Sequence, residues 1–135
     1  MNNKTLMAIV LTSVISVGIA AGIILFVNSG SVNVSPEEDG IRINAPMTNV
    51  YIAYDDIDSV EFREEFTAGT RTNGFGGTNI SSGKFKNAEF GDYTLARYKG
   101  VDAFIVIHTG GRTVVFNQNS VDRTAEIYDE LLTRI

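Results

Sequence analysis

Two kinds of hydrophobic pattern divide the chain. From Leu6 to Val27 the sequence LMAIVLTSVISVGIAAGIILFV carries no charge, and its only polar side chains are Thr12, Ser13 and Ser16. At 1.5 Å per residue such a run spans roughly 30 Å, the hydrocarbon thickness of a bilayer. Beyond Gly40 the apolar residues come in short runs separated by turn signals. Ile41–Ile43, Val50–Tyr54, Ile57–Phe62, Lys84–Phe90, Tyr93–Tyr98, Ala103–Thr109 and Arg112–Asn117 read as strands, filled by β-branched and aromatic residues. Ala45–Asn49, Asp55-Asp56, Gly91-Asp92 and Gly110-Gly111 supply the turns, the last as a two-residue hairpin. The period then changes. Asn119 or Ser120 is placed to cap a helix, with Asp122 in its first turn. Val121, Ala125, Tyr128, Leu132 and Ile135 recur at helical spacing with Leu131 alongside. They predict an amphipathic helix whose apolar stripe packs on the β structure.

The expected organisation is therefore a cytoplasmic stub and one transmembrane helix over residues 1–27, a linker over 28–39, and one mainly β domain over 40–135. The linker is rich in Ser, Asn, Gly and acid. A cleaved signal peptide would have a shorter apolar core and a small-x-small cleavage site; residues 28–31, Asn-Ser-Gly-Ser, fit that pattern poorly. Lys4 precedes the apolar run, and no basic residue follows it before Arg42. The positive-inside rule then puts the N-terminus in the cytoplasm and the domain outside the cell membrane, as a single-pass protein. Gly18-Ile-Ala-Ala-Gly22 has the spacing that lets two helices approach closely, which leaves room for an oligomer. The ordinary alternative is a lipid-facing helix.

Charge and composition narrow the function. The formal net charge is −5; without Lys4, 10 basic and 16 acidic side chains remain. An acidic domain is repelled by nucleic acid and by anionic headgroups, so neither is an expected partner. With no cysteine, disulfides, thiolate metal sites and cysteine nucleophiles are absent. His108 is the only histidine and has no neighbouring nucleophile in sequence, so it reads as a structural side chain at a strand end. Asp55, Asp56, Asp58, Glu61, Glu64 and Glu65 lack the glycine and spacing of a calcium loop and read as a solvated face. No enzyme, metal or cofactor is expected.

One segment draws attention as a binding site. Phe66 to Gly83 holds five of the 13 glycines between two expected strands. It reads as a long mobile loop in which Arg71, Asn73, Gly74, Phe75, Gly76 and Gly77 could receive an anion, a carbonyl or a peptide. Against this, Arg71 could simply pair with Glu64 or Glu65. Phe75, between glycines, either tucks into the β structure or waits for a partner. No phosphate-loop or dinucleotide spacing occurs.

The order of elements, with certain local words, resembles a bacterial pleckstrin-homology-like family. The matching words are Met47 after the first strand, Arg71-Thr-Asn-Gly74-Phe-Gly76-Gly77, Gly83-Lys-Phe85, Gly91 with Tyr93, Phe104-Ile-Val-Ile107 and Val114-Val-Phe-Asn117. They cover Gly40 to Ile135. The resemblance implies a seven-stranded antiparallel sandwich or barrel, PH-like, capped by a C-terminal α-helix. It also implies a binding or assembly module and brings no catalytic motif. Phosphoinositide binding in the superfold uses basic residues of the first hairpin loop. Here that loop, Ala45–Asn49, has no Lys or Arg, so that activity is not expected. The expected function is a membrane-anchored, non-enzymatic binding or scaffolding module with a protein or peptide partner. A small-ligand or lipid sensor is the alternative. A pilin-like subunit ranks last, because the apolar run lacks the glutamate and leader such subunits carry.

Overall fold

The computed structural model describes residues 2–12 and 30–135. Residues 3–12 are helical (α1). The domain has β1 (Asn33–Pro36), β2 (Gly40–Ala45), β3 (Thr48–Ala53), a 3₁₀ turn (Tyr54–Asp56), β4 (Ser59–Arg63) and β5 (Thr70–Gly76). β6 (Ile80–Asn87), β7 (Gly91–Tyr98), β8 (Phe104–Thr109), β9 (Arg112–Phe116) and α2 (Val121–Leu132) follow. The expected membrane span, residues 6–27, lies outside the described residues from Ser13 onward. Among the described residues no helix is long and apolar enough to cross a membrane.

All seven expected strands are present, and two more lie where none was expected. β1 occupies the supposed linker and pairs antiparallel with β2, Asn33 opposite Asn44 and Pro36 opposite Ile41. β5 occupies the supposed glycine-rich loop and pairs antiparallel with β6. The strands form two sheets, β1-β2-β3 and β4-β8-β9-β7-β6-β5, a sandwich-like arrangement as expected, but the seven expected strands are corrected to nine among the described residues, and they do not close into a single barrel. Nor is the pairing wholly antiparallel. β7 and β9 run parallel, with Thr94 opposite Val114 and Ala96 opposite Phe116. The chain leaving β7 skips one place to lay down β8, and the Gly110-Gly111 turn folds β9 back into the gap. Asn117 closes that crossover. Its buried side chain accepts from Tyr98 N at 2.7 Å and donates to Tyr98 O and Val101 O, both at 3.3 Å.

The central strands of the six-stranded sheet, β7, β9 and β8, are buried on both faces. The sheet's inner face joins the three-stranded sheet and α2 in one cluster that includes Ile41, Ile43, Ile52, Ile105, Ile107, Phe116, Ile127 and Leu131. Its outer face carries a second cluster of Phe85, Tyr93, Leu95, Phe104, Val106 and Val115. The segment between β4 and β5 covers this second cluster with Phe66 and Ala68, and Phe90 of the β6–β7 turn joins them. The Phe66 ring centroid is 5.3 Å from Phe104, 5.7 Å from Tyr93 and 6.2 Å from Phe90. Tyr93 Oη donates to Ala68 O at 2.5 Å, and Asn87 Nδ2 to Thr67 O at 2.9 Å. What looked like the start of a mobile loop is a strap that the outer face needs.

The C-terminal helix forms with Ser120 as its cap, the Ser120 side chain accepting from Arg123 N at 3.1 Å. Its buried face differs from the expected stripe. Thr124, Ile127 and Leu131 are buried and Tyr128 partly so, whereas Val121, Leu132 and Ile135 are exposed. Both stripes satisfy a 3.6-residue period. The one containing Ile127 and Leu131, four apart, puts two large aliphatic groups on the sheet, with Tyr128 against Phe62 at 5.5 Å.

Phe66→Ala separates strap from loop. A strap side chain lost from an aromatic cluster should destabilise the domain by about 2–3 kcal/mol, whereas removal of a loop ring should change it by less than about 0.5 kcal/mol. Urea denaturation of the two proteins decides.

Candidate functional site

β5 is the last strand of the six-stranded sheet, beyond which no further strand is paired among the described residues. The opposite edge, β4, lies against α2. Most of β5 is exposed. Its pairing to β6 shifts register between Arg71 and Asn73, leaving Thr72 as an extra residue. That bulge places Arg71 opposite Phe85 and Asn73 opposite Lys84, and so on different faces.

The glycines here serve close approach. Gly74 and Gly83 face each other with φ of 154° and 122°. A Cβ on Gly74 would sit 2.2 Å from Ser82 O, and one on Gly83 would sit 2.4 Å from Asn73 O. Neither strand could carry a side chain at this crossing. At Gly76 the obstacle is Arg71, whose Nη1 would lie 1.7 Å from an added Cβ. Arg71 thus folds back along its own strand instead of pairing with Glu64 or Glu65. Glu64 and Glu65 line a separate hollow with Arg97 and Asp102.

The six expected site residues therefore do not converge. Phe75 tucks against the inner core, which answers the question its position raised. Gly77 is a buried turn residue; its N–H donates to Ile80 O at 2.9 Å and its carbonyl accepts from Lys99 Nζ at 2.7 Å. Arg71 and Gly76 share the outer side. Only Asn73 and Gly74 reach a common hollow, of about 200 Å³, between the start of β3 and the β5–β6–β7 surface. Its other lining residues are Met47, Thr48, Asn49, Val50, Gly83, Lys84 and Thr94. Sequence reasoning did not assemble this group, because its members come from four strands and share no local motif.

The hollow is polar. Lys84 Nζ lies 3.4 Å from Thr94 Oγ1, a long contact that leaves the ammonium free to turn to a ligand. The buried Thr48 Oγ1 has no hydrogen-bond partner among the described residues. Asn49 Oδ1 accepts from Arg42 Nη1 at 3.4 Å. One cation, two hydroxyls and two amides suit carbonyl or carboxylate oxygens and exposed N–H groups, the functional groups of a peptide.

A family model described as a bacterial PH domain matches residues 32–128. The chain belongs to the bacterial PH domain family. Searches of curated proteins and of solved structures gave no match. The matched span begins immediately before β1, which makes β1 part of the bacterial PH domain and not of a linker, and it ends within α2.

Elsewhere in the PH domain the other candidate groups serve structure. His108 Nδ1 is 3.1 Å from Thr113 Oγ1, and its ring meets Phe90 edge-on at 5.8 Å. The acidic stretch disperses. Glu61 pairs with Arg63 at 2.7 Å, Asp58 Oδ2 accepts from Gly110 N at 3.1 Å, and Asp55 and Asp56 sit in the 3₁₀ turn. Arg63 also pairs with Glu89. No group of three or more metal-ligating side chains gathers among the described residues.

Burial pushes the Tyr93 phenol well above the usual tyrosine value, against a smaller opposing effect of Arg97. Burial also raises Tyr54, which Arg134 partly opposes. Both favour the neutral form in the folded state. Their contribution is complete below about pH 10, where the unfolded phenol begins to ionise, and is lost as pH rises toward the raised folded values. Tyr93→Phe should lose about 1 kcal/mol at pH 8 with its bond to Ala68. It should also show a shallower loss of stability between pH 9 and 11 (on the order of that range), measured by denaturant melts at each pH.

Proposed function

We propose that the chain is a membrane-anchored, non-enzymatic binding module that takes an extended protein or peptide segment along β5 and into the adjoining polar hollow. The observation that carries this reading is the geometry of β5: an exposed last strand whose regular half, Asn73 to Gly76, borders the hollow of Thr48, Asn49, Lys84 and Thr94. An added strand gains main-chain hydrogen bonds from the edge, and a side pocket at every second residue gives specificity. Of the three remaining edges, β3 lines the same hollow, and the other two suit this less. β4 lies under α2, and β1 is four residues long and ends in Pro36.

The anchor is the apolar run of residues 6–27, with the N-terminus inside and the domain outside. Leu6, Met7, Val10 and Leu11 of α1 are exposed, and an apolar helix surface of this kind is stable in lipid and costly in water. A sensor with its ligand inside the sandwich is disfavoured by the inner core, where Ile41, Ile43, Ile105, Ile107, Val114 and Phe116 are fully buried.

A photo-reactive side chain at exposed Thr72 should yield a discrete adduct in native membranes, and the same group at exposed Asp129 on α2 should not. Asn73→Ala with Lys84→Ala should weaken the captured complex about tenfold or more, roughly 1.4 kcal/mol, with unchanged thermal stability. Equal labelling from both positions, or none from Thr72, would remove the edge reading.

A further inference from the structure

We propose that the Pro46–Met47 turn is the surface through which the domain rests on the bilayer, with the β2–β3 turn against the membrane interface and the acidic end facing away. This rests on the reading of residues 6–27 as the anchor.

The first argument is where the chain enters the fold. Gly30 lies against the turn, since a Cβ there would be 3.3 Å from Pro46 Cγ and 3.7 Å from Phe75. Val32 is then pinned on both sides. Its N–H donates to Tyr98 Oη at 3.0 Å and its carbonyl accepts from Gln118 Nε2 at 3.1 Å. Gly30 is three residue steps beyond Val27, the end of the apolar run, with Asn28 and Ser29 between them. Fully extended, three steps reach roughly 10 Å. A membrane-spanning run ending at Val27 would hold the Pro46–Met47 turn within about that distance of the lipid.

The second argument is Met47 itself. It is 70% exposed and adopts φ of 57°, the one non-glycine residue with positive φ among those described. Glycine or asparagine would fill such a position with less strain. Ser82 Oγ fixes the turn by donating to Pro46 O at 2.5 Å, and this bond does not involve the Met47 side chain. The exposed thioether belongs to neither core cluster, and it projects from the turn against which Gly30 lies.

Charge gives the third. Lys84 shares the hollow beside Met47, Lys99 is bonded to Gly77, and the Arg71 guanidinium lies at Gly76. Glu37, Glu38, Asp39, Asp55 and Asp56 gather at the opposite ends of β2 and β3. Six residues of strand put them about 20 Å from the turn. Glu64, Glu65, Arg97 and Asp102 line a separate hollow with Phe66 and Phe104. Turn-down is the orientation that keeps the five clustered carboxylates out of the headgroup layer. One methionine would not bind a free domain to a membrane, but a tether this short makes the contact intramolecular, so a weak contact suffices to orient it.

The chain contains no tryptophan and no cysteine, so single probes are unambiguous. The full chain carrying Met47→Trp, and separately Asp56→Trp, is reconstituted into phosphatidylcholine vesicles with brominated acyl chains. Flotation is scored first. For a side chain within 5–10 Å of the headgroup–acyl boundary, the Met47→Trp emission should shift to the blue and lose about half its intensity or more. Asp56→Trp should be nearly unaffected. Met47→Cys carrying a nitroxide gives the same depth by collision quenching should the tryptophan disturb the turn. Co-flotation with an unquenched probe at position 47, or equal quenching at both positions, overturns the orientation and leaves the anchor standing. A chain that does not float with the vesicles overturns both.

Discussion

Two-sided burial at the centre of the six-stranded sheet is the constraint on which the rest of the molecule depends. Its central strands, β7, β9 and β8, carry Leu95, Ala96, Phe104 to Ile107 and Val114 to Phe116 at no more than 4% exposure. A half-buried antiparallel strand would alternate; these runs are apolar on both faces, as strands covered from both sides must be. The chain meets the demand with two covers of different kinds. The three-stranded sheet and α2 close the inner face. Among the described residues the outer face receives no sheet and no helix, only the strap from Phe66 to Gly69 and the ring of Phe90. That strap connects β4 to β5, so its path also decides which edge of the sheet stays open.

What the sequence showed follows from the same constraint. Ala103 to Thr109 and Arg112 to Asn117 stood out because burial on both faces leaves a nearly continuous apolar word. β2 and β3 were legible by alternation, one face being solvated. β1 was not, because Asn33-Val34-Ser35-Pro36 offers one apolar residue and becomes a strand by pairing with β2. β5 was hidden for a related reason: Thr-Arg-Thr-Asn-Gly-Phe-Gly has the composition of a loop, and tertiary pairing overrides it. The parallel β7–β9 contact has no local signature at all. It depends on where β8 lands. The expected stripe of α2 omits Ile127, and the sheet beneath buries the face that contains it.

The candidate site shows a sharper version of this limit. Phe66 to Gly83 reads as one loop with the candidate residues 71–77 inside it, and the bulge at Thr72 puts Arg71 and Asn73 on opposite faces of a strand. A cluster contiguous in sequence became a pair of surfaces. The polar hollow arises the other way, from Thr48, Asn73, Lys84 and Thr94, which are far apart in sequence and adjacent in space. Gly74 and Gly83 were visible as glycines, but their purpose lies in each other's backbone, and a single chain read in order cannot show that.

An open edge strand is a hazard as well as an opportunity, since it can pair with any extended chain. β5 carries the usual protections on one half only. Arg71 and the Thr72 bulge interrupt its first residues, while Asn73 to Gly76 stay in regular register. A partner strand of arbitrary sequence would need the whole edge to gain enough main-chain hydrogen bonds. One that fits beside Lys84, Thr94 and Thr48 gains side-chain contacts that compensate for the shorter ladder. Under the proposed strand-addition reading, blunting half the edge and leaving the other half next to a polar hollow makes a generic pairing surface selective. The glycine pair is part of that selection, because Gly74 against Gly83 brings β5 close to β6 at the point where the hollow opens.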